Sequence, residues 1–171
     1  VGLIGERGRE VKEFIEQISQ KSHNMIEAMD DILWSIDPKN DSMERSLLRM
    51  MEWADAMKNQ FGGQVELALD KRIRTLRLDM KTRHDLFLIF KESLRLMIAH
   101  AGGRETLVHV DLFKNKLSMR VQDATAALDK NVQAIESSIR IINEKAALIN
   151  ADVDVQSEKN GITILLLVPV K

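Results

Sequence analysis

The sequence predicts an α+β domain, in which helices pack on a β-sheet, preceded by a long N-terminal helix. Across residues 80–103 the apolar side chains recur at three- and four-residue spacing, which is typical of a helix with one broad buried face. Segments that alternate apolar and polar residues lie on both sides of this helix in the sequence, and alternation indicates half-buried strands. A helix bracketed by strands in this way is expected to lie on the sheet that they form.

Residues 9–36 are predicted to form the long helix, because their apolar side chains form a heptad stripe with alternating steps of three and four. A helix of this length cannot bury such a stripe against itself, so the stripe needs a partner helix from this chain or from a second copy. We expect a homodimer through this face. Its residues are Val11, Phe14, Ile18, Met25, Met29, Ile32 and Ile36. The sequence Asp37-Pro38 should end the helix.

Two further helices and several strands complete the prediction. A capping box of Asp41 and Glu44 is expected to start a helix that ends near residues 62–63, and its apolar residues are Leu47, Leu48, Met51, Ala54 and Met57. The last helix is predicted at 129–150. The predicted strands lie at 65–69, 76–78, 108–113, 117–121, 153–155 and 162–168, with hairpin turns at 114–115 and 160–161.

Composition excludes several classes of function. The net charge is −1, so no overall field attracts nucleic acid, and the chain contains no cysteine for disulfide or thiolate chemistry. The basic strip Lys71, Arg72, Arg74 and Arg77 is interpreted as the solvated face of a hairpin. No apolar run is long enough to cross a bilayer as a helix. A cytoplasmic location is expected, either for a whole protein or for the cytoplasmic part of a longer membrane sensor.

Two stretches carry a resemblance to a known family. Residues 31–42, DILWSIDPKNDS, resemble the D-I-x-W-x-I-x-P-K-N-D-S junction that joins the second dimerisation helix to the ATPase domain in a group of bacterial sensor histidine kinases. Residues 88–101, LIFKESLRLMIAHA, resemble the N-box helix of the same GHKL-type kinases, L-I-x-K-E-A-x-N-N-A-x-K-H-A. The resemblance implies a dimerisation helix over 1–37. It also implies a GHKL (Bergerat-type) two-layer α/β sandwich over 38–171, with a mixed sheet covered by helices on one face.

The family's nucleotide site is altered in this sequence. The N-box asparagine that holds Mg²⁺ falls on Leu96, and the asparagine before it falls on Arg95, whereas the glutamate is retained as Glu92. The aspartate that meets adenine falls on Asp123, but the two glycines that follow it are replaced by threonine and alanine at 125 and 127. The lid segment expected between 129 and 145 contains no glycine and is predicted to be helical. Glu92, Arg95 and Asp123 are therefore interpreted as vestigial, surface polar residues.

These changes predict a signalling module that dimerises, does not catalyse phosphoryl transfer and uses no cofactor or metal. Its expected partner is a response regulator or a kinase. One alternative is an ATP- and Mg²⁺-dependent fragment of an atypical sensor histidine kinase, and another is a purely structural dimerisation element. The phosphoacceptor histidine is expected outside this chain, because His84-Asp85 maps to the start of the N-box helix.

Overall fold

The computed structural model describes residues 2–100, 105–123, 132–158 and 161–170. The chain divides into two compact units, Val1–Lys39 and Asn40–Lys171. The first unit is a single long helix, α1 (Gly2–Ile36), which ends before Asp37-Pro38 as predicted. The Asp37 carboxylate then accepts a hydrogen bond from the Lys39 backbone N–H at 2.9 Å, in a short 3₁₀ turn. No described helix is both long and apolar enough to span a membrane.

The second unit is an α/β sandwich with three helices on one face of a five-stranded sheet. Its helices are α2 (Met43–Phe61), α3 (Met80–His100) and α4 (Val132–Leu148). Its strands are β1 (Gln64–Leu69), β2 (Glu105–Phe113), β3 (Lys116–Asp123), β4 (Asp152–Glu158) and β5 (Gly161–Pro169). The strand order is β1-β2-β3-β5-β4, in which β1 and β2 are parallel and the other neighbours antiparallel. The sheet is therefore mixed.

The core lies between the sheet and the helix layer. On β2 and β5 buried residues alternate with more exposed ones, as expected when one face of a sheet is covered. The α3 helix lies across β2 and β3 and contributes several completely buried side chains. Phe90 of α3 meets Trp53 of α2 edge-on, with their ring centroids 6.2 Å apart. These contacts confirm α3 as the central helix of the domain.

The start of α2 differs from the prediction. Its N-cap is Ser42, whose hydroxyl accepts the Arg45 backbone N–H at 3.2 Å. Asp41 does not form the predicted capping box. Its carboxylate instead accepts a hydrogen bond from the guanidinium of Arg83 in α3. The short hydroxyl side chain of Ser42 fits the cap position next to the first turn. The Asp41 carboxylate can therefore bind Arg83, 42 residues away in the chain.

Of the five apolar residues named for α2, Leu47, Ala54 and Met57 are buried and the other two are exposed. Leu48 and Met51 are 45% and 44% exposed, whereas Met43 and Met50 are buried. At its other end α2 stops as predicted, because Gly62 adopts the left-handed conformation at φ 74° and donates its N–H to the Lys58 carbonyl.

The predicted strand at 76–78 is wrong. After β1 the chain forms a 3₁₀ turn at Lys71–Thr75, and residues 76–79 belong to no strand. Asp70 caps this turn by accepting the Arg72 backbone N–H at 2.8 Å, while its own N–H bonds to the Val110 carbonyl. The basic strip therefore lies on a turn and the segment that follows it. No hairpin forms here, since β1 pairs with β2 in parallel.

Of the two predicted hairpin turns, the first lies within the described residues and the second only in part. Lys114 and Asn115, both at positive φ, form the tight turn between β2 and β3 as predicted. The strands β4 and β5 pair antiparallel, although the turn residue Asn160 lies outside the described residues. The glycines at 102–103 and the first three residues of the predicted last helix, 129–131, also lie outside them.

Candidate functional site

The N-box positions occupy two successive turns of α3. Leu96 points inward and is completely buried, whereas its neighbour Arg95 is exposed. This division follows from the helix, because Leu96 falls on the same face as the buried core residues of α3 and Arg95 lies about 100° away. An apolar side chain therefore occupies the core-facing position at which the family pattern has its second asparagine.

Glu92 lies one turn before Leu96 and is bound to the neighbouring helix. Its Oε1 accepts a hydrogen bond from the Ser138 hydroxyl of α4 at 2.6 Å, and its Oε2 lies 3.9 Å from Nη1 of Arg95. The Arg95 guanidinium in turn lies 5.7 Å from the centre of the Trp53 ring. The structure thus brings Glu92 and Arg95 together. Ser138, which the sequence analysis did not identify, holds the glutamate against α4.

Asp123 is the last residue of β3, between Thr106 on β2 and Ile162 on β5. It is completely buried, so its interpretation as a surface residue is wrong. The reason is strand parity, because Asp123 lies two residues beyond Val121 and shares the core-facing side of β3. The same alternation, extended by one step, could have identified this position from the sequence. The altered glycine positions at 125 and 127 lie outside the described residues.

Two buried hydroxyl groups accompany these residues. Ser93, next to Glu92, and Thr106, paired with Asp123, are completely buried. Within the described part of the chain neither hydroxyl oxygen has a hydrogen-bond partner. Burying a hydroxyl without a partner costs about 1–3 kcal/mol. The family pattern has alanine at the position of Ser93. This difference from the pattern could have identified Ser93 from the sequence.

These residues do not fit a magnesium ion held in the family's manner. Mg²⁺ requires near-octahedral oxygen ligands, and Leu96 provides none. The guanidinium of Arg95 is a cation and repels a metal. Over the described ranges no three His, Asp or Glu side chains lie together in a way that could hold a metal ion.

His84 lies at the start of α3, next to an ion-pair network formed by the neighbouring Asp85. His84 is half-buried, and the neighbouring Asp85 is buried between Lys81 at 3.1 Å and Lys145 at 3.8 Å. Lys81 also donates to the Leu148 carbonyl at the end of α4 at 2.8 Å. This network joins the start of α3 to the end of α4. The His84-Asp85 dipeptide therefore lies at a structural contact between two helices.

Solved structures of histidine kinases match this chain along most of its length. A blue-light activated histidine kinase of Erythrobacter litoralis is 18% identical over 89% of this chain and 50% of its own, with a TM-score of 0.68. The histidine kinase AdeS of Acinetobacter baumannii is 6% identical over 92% of this chain and 84% of its own, with a TM-score of 0.64. The catalytic domain of the histidine kinase ThkA is 8% identical over 75% of this chain and 94% of its own, with a TM-score of 0.60.

The likeness to these structures establishes the fold. The second unit has the α/β sandwich of histidine kinase catalytic domains, and the long helix precedes it, as the resemblance implied. No protein-family model matches the sequence, and no curated protein has a significant match to it. The chain spans 59% of the isolated kinase domain of the Erythrobacter protein and 50% of the longer chain of the same protein.

Proposed function

We propose that this chain is a dimerising, non-catalytic signalling module that keeps the scaffold of a histidine kinase ATPase domain and has lost its Mg·ATP site. The observation that carries the proposal is the complete burial of Leu96. A leucine that packs in the core supplies no oxygen ligand, and it fills the space that a hydrated metal would need. Residues 38–171 would form the ATPase-like domain, and residues 1–37 the dimerisation element.

The loss of nucleotide affinity follows from the number of groups affected. Removing one preorganised charge-stabilising group costs an enzyme about 3–4 kcal/mol of transition-state stabilisation. Here Leu96 replaces the metal-holding asparagine, and side chains replace both glycines of the adenine turn. The retained Glu92 is hydrogen-bonded to Ser138. Even if these effects are only partly additive, useful Mg·ATP binding is lost.

The dimer is supported by the surface of α1. Ten large apolar side chains of this helix are between 52% and 67% exposed in the single chain. They are Val11, Phe14, Ile15, Ile18, Met25, Ile26, Met29, Ile32, Leu33 and Ile36. Their heptad spacing fits the packing of a second identical helix. In such a dimer the module would act by binding another signalling protein, a response regulator or a kinase.

The alternative is an ATP-binding fragment of an atypical sensor histidine kinase. Two observations favour it, the burial of Asp123 at the position that meets adenine and the retention of Glu92. An adenosine group could still be recognised by Asp123 without a metal, so nucleotide binding must be measured with and without Mg²⁺.

Isothermal titration with ATP and ADP, with and without Mg²⁺, separates the two functions. We expect no saturable binding at nucleotide concentrations up to about 1 mM. A dissociation constant of about 1 mM corresponds to a binding free energy of only about −4 kcal/mol. Micromolar, Mg²⁺-dependent binding would overturn the proposal. The variant with Leu96→Asn, Thr125→Gly and Ala127→Gly is the gain-of-function arm, and it should recover part of the nucleotide affinity only if the helical lid expected between 129 and 145 can also open.

A further inference from the structure

A cavity of about 640 Å³ lies where the start of α2 meets the segment that leads into α3. Its walls are formed by residues 41–43, 74–80 and Arg83. Cavities that hold small molecules in proteins measure about 300–1,000 Å³, so this one has room for a compact ligand. It lies at the far end of α3 from the N-box. Met80 and Leu96 are 16 residues apart, which corresponds to about 24 Å along a helix.

Three arginines line this cavity, and two of them have no acidic partner among the described residues. Arg83 is only 8% exposed, and its guanidinium donates to the Leu78 carbonyl and to Asp41. Arg74 and Arg77 are exposed, and in the described part of the chain neither has a carboxylate within 4 Å. The guanidinium groups of Arg74 and Arg77 are therefore available to a ligand.

The carboxylates in the cavity wall are already engaged. Asp41 accepts from Arg83, and Asp79 accepts the Thr82 backbone N–H at 2.8 Å and the Thr82 hydroxyl at 3.0 Å. Three guanidinium groups and two carboxylates leave the lining with one net positive charge. The first residues of α2 and α3 also line the cavity, and the N-terminal ends of helices add positive potential.

Apolar side chains complete the lining. Met43 and Leu78 are buried beneath the cavity, Leu76 is half-buried, and Met80 is 44% exposed. A bare inorganic ion would leave these surfaces in contact with water. The combination of free guanidinium groups with an apolar floor fits a ligand that carries both an anionic group and a small apolar group.

We propose that this cavity binds a small phosphate monoester with a compact apolar group, and that Arg74 and Arg77 bind the phosphate. Phosphate is favoured over carboxylate because its oxygens can accept paired N–H donors from two guanidinium groups at once. A carboxylate has two oxygens, and a single arginine can satisfy both. The proposal concerns a site separate from the altered nucleotide position at Leu96.

The experiment is calorimetry on the whole chain with phenyl phosphate, inorganic phosphate, benzoate and phenol, without Mg²⁺ and at constant ionic strength. We expect saturable binding of phenyl phosphate that is tighter than that of inorganic phosphate. Benzoate should bind at least about tenfold more weakly than phenyl phosphate, since it loses one set of charge-assisted hydrogen bonds. No saturable binding of phenyl phosphate, or tighter binding of benzoate, would overturn the proposal.

Two matched double variants test whether Arg74 and Arg77 bind the phosphate. Arg74→Ala with Arg77→Ala should weaken phenyl phosphate binding by about a hundredfold, at roughly tenfold for each charge-assisted contact. Lys58→Ala with Lys71→Ala removes the same charge from exposed positions outside the cavity and should leave binding unchanged. Amide chemical shifts should change at 74–80. Equal loss in both double variants, or shifts centred on Leu96, would refute the assignment.

Discussion

Replacement of Leu96 by asparagine measures directly whether this position belongs to a packed core or to a polar site. Leu96 is completely buried within the main apolar cluster of the domain. Truncating a buried leucine costs about 2–5 kcal/mol in lost transfer energy and cavity formation. An asparagine fills part of that space, but it also buries an amide that costs about 1–3 kcal/mol if it finds no partner. We expect Leu96→Asn to lower the free energy of unfolding by about 3–5 kcal/mol.

The assay is urea unfolding followed by circular dichroism at one fixed protein concentration, because the midpoint of a dimer depends on concentration. Leu96→Met is the matched control, since it conserves volume and apolarity and should cost less than about 1.5 kcal/mol. A cost of less than about 1 kcal/mol for Leu96→Asn would contradict a packed apolar core at this position. A loss that small would mean that the asparagine finds polar partners or water at this position, as it would in a functional metal site.

Three further outcomes follow from the structure. Ser93→Ala should raise the free energy of unfolding by about 1 kcal/mol in urea titrations, because it removes a buried hydroxyl without a hydrogen-bond partner among the described residues. Met25→Glu with Ile32→Glu should convert the proposed dimer to a monomer or an insoluble chain in light scattering, because both charges fall on the apolar face of α1. The Arg72 guanidinium, bonded to Asp70 at 2.6 Å, lowers the pKa of that carboxyl below its ordinary 3.8, and Arg72→Ala should return it toward 3.8 in an NMR titration.

The first two outcomes each have a control variant, and the third has an expected direction of pH dependence. Ser137→Ala changes an exposed serine of α4 and reports helix propensity alone, so an equal gain there would remove the buried-hydroxyl argument. Gln20→Glu with Asn24→Glu adds two charges to the polar side of α1 and should leave the proposed dimer intact. Because the folded pKa of Asp70 is lowered, its ion pair stabilises the fold above the ordinary pKa, and that contribution is lost as the pH falls through the lowered value.

Local sequence patterns predicted most of the helices and strands, because apolar periodicity and turn-forming residues act over a few neighbouring residues. The three- and four-residue spacing around Phe90 predicted the central helix, and Gly62 and the Lys114-Asn115 turn marked where elements end. The junction motif at 31–42 and the N-box pattern then implied a kinase-like sandwich. Solved histidine kinase structures confirm that fold.

The amino-acid sequence by itself determined which side chains stand at the altered nucleotide positions, because motif spacing gives identity without coordinates. Only the tertiary structure decided what those side chains contact. Asp123 lies between Thr106 of β2 and Ile162 of β5, and Glu92 meets Ser138 from a helix 46 residues away in the chain. The Asp41–Arg83 pair joins the junction motif to the start of α3 in the same way. Contacts between residues distant in the chain depend on how its elements pack, and no local pattern encodes them.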